Sequence, residues 1–231
     1  MLKERIKTGI PDLDAIIEGG FIIPSVILVL GLPGTGKTSF SMNYLFEGAK
    51  HNEKGLYIST LSESTSSIIN FGSKFWFFDP KKIGRKIFIV ELGKKMEYFQ
   101  NKRDILDEIF NKVEEFDISR VVIDPINPFN LILPSLRDYR IFLYEFSQKI
   151  KEYGIQATIT AELYDANCNY CHEAYISDGT ILLQTVRKEN KMMRELIIAK
   201  MRGTSHSLEP IQYILTSKGF VLQALDGKKK I

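Results

Sequence analysis

Apolar positions along this chain follow two alternating rhythms. Short unbroken apolar runs at 26–30, 55–60, 86–91, 120–124 and 156–162 predict buried strands of a parallel sheet. Helices are predicted between them. One opens near Lys37 and continues through Phe40, Tyr44, Leu45 and Ala49, and another carries the apolar cluster of 68–78. A third, over 102–116, sets Ile105, Leu106, Ile109, Phe110 and Val113 on one face at helical spacing, and a fourth covers 136–153. Ahead of the first strand, Thr8-Gly9-Ile10-Pro11 turns, 12–17 forms a small helix and Gly19-Gly20 ends it. From Asp178 onward strands follow one another at 180–186, 194–200, 212–216 and 220–223. Turns at 188–191 and 217–219 suit antiparallel hairpins between them. The expected fold is α/β, a mostly parallel central sheet flanked by helices with antiparallel strands at the C-terminal end.

Composition adds bounds to this pattern. At 231 residues the chain suits one domain over 1–231, with a lead-in at 1–24, a core at 25–186 and β hairpins at 187–231. A hydrophobic fraction of 44% and a charged fraction of 26% give no case for disorder. The net charge of +3 is scattered and neither demands nor excludes nucleic acid. No apolar run approaches the roughly 18 residues needed to span a bilayer, and the start at Met1 to Arg5 lacks a signal-peptide core, so a cytoplasmic location is expected. The run 227–230, Gly-Lys-Lys-Lys, reads as a solvated end.

Chemistry enters at Gly31-Leu32-Pro33-Gly34-Thr35-Gly36-Lys37-Thr38, which satisfies every fixed position of the phosphate loop G-x-x-x-x-G-K-[ST] and sits between a predicted strand and a predicted helix. Glycines let backbone N–H groups close around phosphates, and the helix that begins with Lys37, Thr38 and Ser39 points its positive end at them. Lys37 brings a mobile charge to the β and γ phosphates, and the Thr38 hydroxyl suits Mg²⁺. Asp124 ends an apolar strand and would emerge beside those phosphates, because ligands lie at the carboxyl ends of parallel strands. A Mg²⁺ role for Asp124 is favoured over a turn cap before Pro125.

Two other features carry less. Cys168, Cys171 and His172 spell the c-type haem attachment motif, which needs export, and they equally spell half a zinc site or a reversible disulfide. With no second cysteine pair to complete a tetrahedral site, metal and redox roles are disfavoured. Trp76, Phe77 and Phe78 read as core or interface rather than a base-stacking platform, since no basic groove lies beside them in sequence.

Lys200-Met201-Arg202-Gly203-Thr204-Ser205-His206, with Arg5-x-x-Thr8-Gly9-Ile10-x-x-Leu13-Asp14 and the phosphate loop, resembles the KaiC-like branch of the RecA-type ATPases over nearly the whole chain. The resemblance implies a RecA-like P-loop core with a C-terminal β meander, binding ATP with Mg²⁺ at a seam between copies. Lys200 and Arg202 would approach the γ-phosphate of a neighbour's nucleotide, and Thr204 and His206 its ribose and base side. A homo-oligomer follows, expected to be a hexameric ring serving an unknown protein partner. Where the family usually has a Glu-Glu pair after the second strand, this chain has Ser62 and Glu63, leaving Glu63 as the sole candidate base and implying weak or slow hydrolysis. Glu162 is a further carboxylate near the active edge, with less to recommend it. The phosphorylated Ser-Thr pair of the family's clock protein is replaced by Ala174-Tyr175, and the hydroxyls of Tyr175 and Ser177 make no case for self-phosphorylation. Two alternatives stand beside this reading, a RecA-like DNA-handling accessory ATPase and a non-hydrolysing interaction module. The loop 163–173, with two acids and no lysine or arginine, weighs against the first.

Overall fold

The computed structural model describes residues 4–61, 63–93, 95–163 and 171–223. Two short strands, β1 (Arg5–Ile6) and β2 (Phe21–Ile22), pair antiparallel around α1 (Pro11–Ile16) and tie the lead-in together. The first sheet strand, β3 (Ser25–Gly31), is buried along its whole length and runs into α2 (Lys37–Lys50). There follow β4 (Gly55–Ser59), α3 (Thr65–Gly72), β5 (Ile87–Glu91), α4 (Lys102–Phe116), β6 (Arg120–Asp124), α5 (Phe129–Ile132), α6 (Leu136–Glu152) and β7 (Gln156–Glu162). The short α7 (His172–Ile176) precedes β8 (Gly179–Lys188), β9 (Lys191–Met201), β10 (Ile211–Thr216) and β11 (Gly219–Leu222).

The last nine strands form one sheet in the order β11-β10-β9-β8-β3-β7-β6-β4-β5. From β8 to β5 the pairs are parallel, whereas β9, β10 and β11 add antiparallel. Alternation along β3 explains how a fully apolar strand serves two cores. Val26, Leu28 and Leu30 face a cluster with α4 and α6, and Ile27 and Val29 face one with α1, α2 and the C-terminal hairpin. Each such buried side chain is worth about 1.5–3 kcal/mol. The stripe predicted on α4 is buried in full, and an Asn101–Asp104 capping box sets the helix's start.

Three expectations are corrected. The helix expected over 68–78 is α3, which starts at the Ser64 cap and ends at Gly72. The chain then folds back so that the Phe78 ring fills the space beside Gly72, where a Cβ would come within 2.3 Å of it. Phe78 is core and Phe77 packs at 5.9 Å on Phe46, but Trp76 is 72% exposed. The loop expected over 163–175 contains α7; its residues 164–170, like Ser62 and the 227–230 run, lie outside the described residues. The strand at 120–124, read as an apolar run, opens on a charged residue that is itself buried: Arg120 is 1% exposed. Its guanidinium is ion-paired to Glu53, donates to the carbonyls of Lys7 at 2.7 Å and Tyr44 at 2.9 Å, and lies 4.5 Å from the Tyr44 ring centroid. It thereby pins β6, α2 and the lead-in together.

Candidate functional site: a phosphate cradle and a distant basic strand end

The cradle is built where β3 stops. Gly34 (φ 80°) and Gly36 (φ 97°) adopt left-handed backbone that only glycine takes without strain, and Gly36 caps α2. Behind Gly36 lie Leu215 and Phe220 of the C-terminal hairpin, and the Tyr213 hydroxyl donates to the Thr35 carbonyl at 2.6 Å. Among the described residues, its chain neighbours aside, none comes within 4 Å of where a Cβ on Gly34 would stand, so this side of the loop is open. Pro33 and Gly34 are exposed, Leu32 and Ser39 half-buried.

Lys37 is 8% exposed and donates from Nζ to the carbonyls of Gly31 at 2.9 Å and Leu32 at 3.2 Å. Burial lowers its pKa, against the charges of Glu162 and Asp124, which favour the protonated form. The Thr38 hydroxyl donates to Asp124 Oδ2 at 2.7 Å, and Asp124 also accepts the hydroxyls of Tyr57 and Thr160. Asp124 is thus beside the phosphate loop, as its strand-end position predicts. The donor set, one hydroxyl and one buried carboxylate beside a loop shaped for phosphate, fits Mg²⁺, which keeps waters and phosphate oxygens for its remaining positions.

Glu63 follows β4, and its carbonyl accepts the Ser59 hydroxyl at 2.6 Å. Its carboxylate Oε2 is shielded from solvent and accepts no hydrogen bond from the described residues. Burial first, and then the charge of Asp124, raises its pKa above the ordinary glutamate value.

The basic strand end lies elsewhere. Thr180 pairs with both Leu28 and Lys200, and Arg202 N donates to the Asp178 carbonyl while Asp178 N donates to that of Val26. Val26 precedes Gly31 by five residues, roughly 17 Å of strand, so Arg202 sits at the far end of β3 from its own cradle. Lys200 Nζ donates to the carbonyls of Ala174, at 3.0 Å, and Ser177. Its pKa is lowered by burial and by Arg202. Arg202 is 57% exposed and reaches Asp178 Oδ1 at 3.2 Å, a carboxylate that also holds Val26 N and Lys151. Thr204 Oγ1 accepts from Arg5 at 3.0 Å, and Arg5 also bonds the carbonyls of Ile17 and Gly20. The two motif segments at opposite ends of the sequence are therefore in contact. His206 is half-buried, with Nδ1 at 3.2 Å from the Ser207 carbonyl.

Sequence reasoning missed Asp178, Arg5 as an anchor, and Asn127, whose bonds are described below. Asp178 had a signal, an acid placed just before a strand that neighbours β3; the others had none beyond the motif. Among the described residues no group of three or more His, Cys, Asp or Glu gathers as for a metal. Cys168 lies outside the described residues, and the Cys171 thiol is pushed up to about 12 by burial and by Glu173, so it is not a ready thiolate. Among the described residues no helix is long and apolar enough to cross a membrane.

A phosphate loop between a central parallel strand and a helix, with the aspartate at the end of β6 bonded to its threonine, defines a RecA-type nucleotide-binding core. The family model described as ATPase: KaiC matches residues 6–226, and the chain belongs to that family. It is an ATP-binding KaiC-like protein. A UPF0273 protein of Thermotoga maritima is 27% identical over 97% of this chain and 98% of its own length. The circadian clock oscillator protein KaiC of Prochlorococcus marinus (strain SARG) is 27% identical over 99% of this chain, which spans 48% of that protein. A crystallised KaiC-like protein of Pyrococcus horikoshii superposes with a TM-score of 0.83 at 30% identity, covering 96% of this chain and 99% of its own. The expected fold class is borne out.

Proposed function

We propose that this chain is a slow, Mg²⁺-dependent ATPase that works as a ring of identical copies, expected to be a hexamer, and acts in the cytoplasm as a nucleotide-controlled switch or scaffold for a protein partner. One observation carries the reading: Arg202 lies roughly 17 Å of strand away from its own cradle, beyond side-chain reach, yet it is exposed and ready to serve another copy.

Each copy's own residues then have defined work. The loop from Gly31 to Thr38 wraps the phosphates, and Lys37 leaves the Gly31 and Leu32 carbonyls to meet their charge. Thr38 and Asp124 would hold Mg²⁺, which neutralises charge on the β and γ phosphates. Glu63 takes a proton from water as its oxygen bonds the γ-phosphorus and the bond to the β-phosphate oxygen breaks, releasing ADP and phosphate. Lys200 and Arg202 of the adjoining copy stabilise the charge of that transition state, while Thr204 and His206 meet the ribose and base side.

The test is subunit mixing. A Lys37→Ala chain and a Lys200→Ala/Arg202→Ala chain are each expected to be inactive and to regain phosphate release when assembled together. No recovery, or a chain that light scattering finds monomeric with Mg-ATP and fully active, rejects the reading. An assembly that binds ATP but releases no phosphate above Lys37→Ala makes the chain a non-hydrolysing module.

A further inference from the structure

Asn127 lies in the turn between β6 and α5, three residues beyond Asp124, and no role in the proposed chemistry needs it. Its carboxamide nonetheless joins three segments. Oδ1 accepts the backbone N–H of Glu162 at 2.6 Å, at the tip of β7. Nδ2 donates to Glu173 Oε1 at 3.3 Å, in α7. The orientation of the amide follows from chemistry, since an N–H needs an acceptor and a carboxylate needs a donor. Glu173 is buried and also accepts the Tyr139 hydroxyl from α6, so the contact is shielded from water.

Both arms lead to working groups. On one side, Leu163 N, next after Glu162, donates to the Gly31 carbonyl at 3.4 Å, the same carbonyl that accepts Lys37 Nζ. Drawing Lys37 onto a phosphate removes one of the two donors from that oxygen. On the other side, α7 supplies the Ala174 carbonyl, and its cap Ser177 the second carbonyl, on which Lys200 Nζ hangs. A lysine on a flexible four-carbon stem is aimed only as well as the acceptors that hold it.

We propose that Asn127 is a positioning residue that fixes α7, and through it Lys200, against the tip of β7, so that each copy's cradle is coupled to the cation it lends to the next copy. The inference rests on the shared-site reading above. It places the effect of Asn127 in the neighbour's reaction rather than in its own.

Mixed assemblies test this. The donor carries Lys37→Ala and contributes only its basic strand end; the acceptor carries Lys200→Ala/Arg202→Ala and contributes only its cradle. Asn127→Asp keeps the acceptor for Glu162 N but sets a carboxylate against Glu173. In the donor it is expected to lower phosphate release of the mixture on the order of tenfold, as a kcat effect with little change in KM. In the acceptor it is expected to change the rate little. Adding Glu173→Gln to the same donor returns an amide donor to the contact and restores the rate. Melting temperature and assembly size, measured on each chain, separate loss of the fold from loss of position. Equal effects in donor and acceptor, or no rescue by Glu173→Gln in folded, assembled chains, overturn the inference alone. A parent pair that fails to recover activity overturns the shared-site reading and this inference with it.

Discussion

In the assembly proposed above, the cradle and the basic strand end would be two halves of one chemistry, and they are built in opposite ways. The cradle is finished within one chain: its lysine rests on its own loop's carbonyls, its threonine on Asp124, and its back on Tyr213, Leu215 and Phe220. The strand end is tied to α7 and, through Thr204 and Ser205, to Arg5 and Glu18 of the lead-in, yet it leaves Arg202 exposed. Lys200 hangs on α7, Arg202 touches Asp178 while half in solvent, and the His206 ring lies against the carbonyl of Ser207. A preorganised half binds; a half-open one waits for something to complete. Binding and catalysis should therefore respond separately to substitution.

The largest effect expected is that of Lys37→Ala, which removes nucleotide binding and brings phosphate release to background; nucleotide affinity by calorimetry checks it. Arg202→Ala should slow phosphate release by about 10³-fold or more while leaving the affinity of each cradle nearly intact. An equal loss in affinity would break the contrast between the halves.

Glu63→Gln should slow release by about 10²–10⁴-fold. Because burial and Asp124 raise the Glu63 pKa, its base form fills only as pH rises above the ordinary 4.5, so the rate climbs with pH and the variant loses that limb. The sign for stability is the reverse. A carboxyl whose folded pKa is raised favours the fold at low pH, and that contribution is lost as pH rises through the raised value, so Glu63→Gln should keep or raise the melting temperature at pH 7. Asp124→Asn should weaken the Mg²⁺ dependence of release by about 10–100-fold, read from metal titrations.

The smallest effect concerns the far end of α2, away from the cradle. Gly48 is inside α2, where alanine ordinarily gains up to about 1 kcal/mol. Here a Cβ would come within 2.4 Å of Arg120 Nε, and overpacking costs about 1–3 kcal/mol. Gly48→Ala should therefore destabilise in denaturant titrations. A gain in stability would mean that Arg120 does not brace α2.

Much of the cradle was legible beforehand. The loop's fixed residues, Asp124 at a strand end, and the bounds of α4, β6 and β7 all follow from local rules, because residue type and period report directly which face is buried. The missed pieces are long-range. Phe78 ends α3 by packing against Gly72, Arg120 is satisfied by segments 67 and 113 residues away, and Asn127 bonds β7 and α7. No local period announces such partners.

The amino-acid pattern by itself determined an α/β sheet with a phosphate loop at its centre, since glycine's backbone freedom and strand burial are properties of short stretches. Only the tertiary structure decided that Arg202 stands at the opposite end of β3 from that loop, with Lys200 level with the middle of the strand. The reason is register: the placement of β9 depends on how β8 pairs with β3 and β9 with β8, and strand pairing is chosen by the assembled sheet.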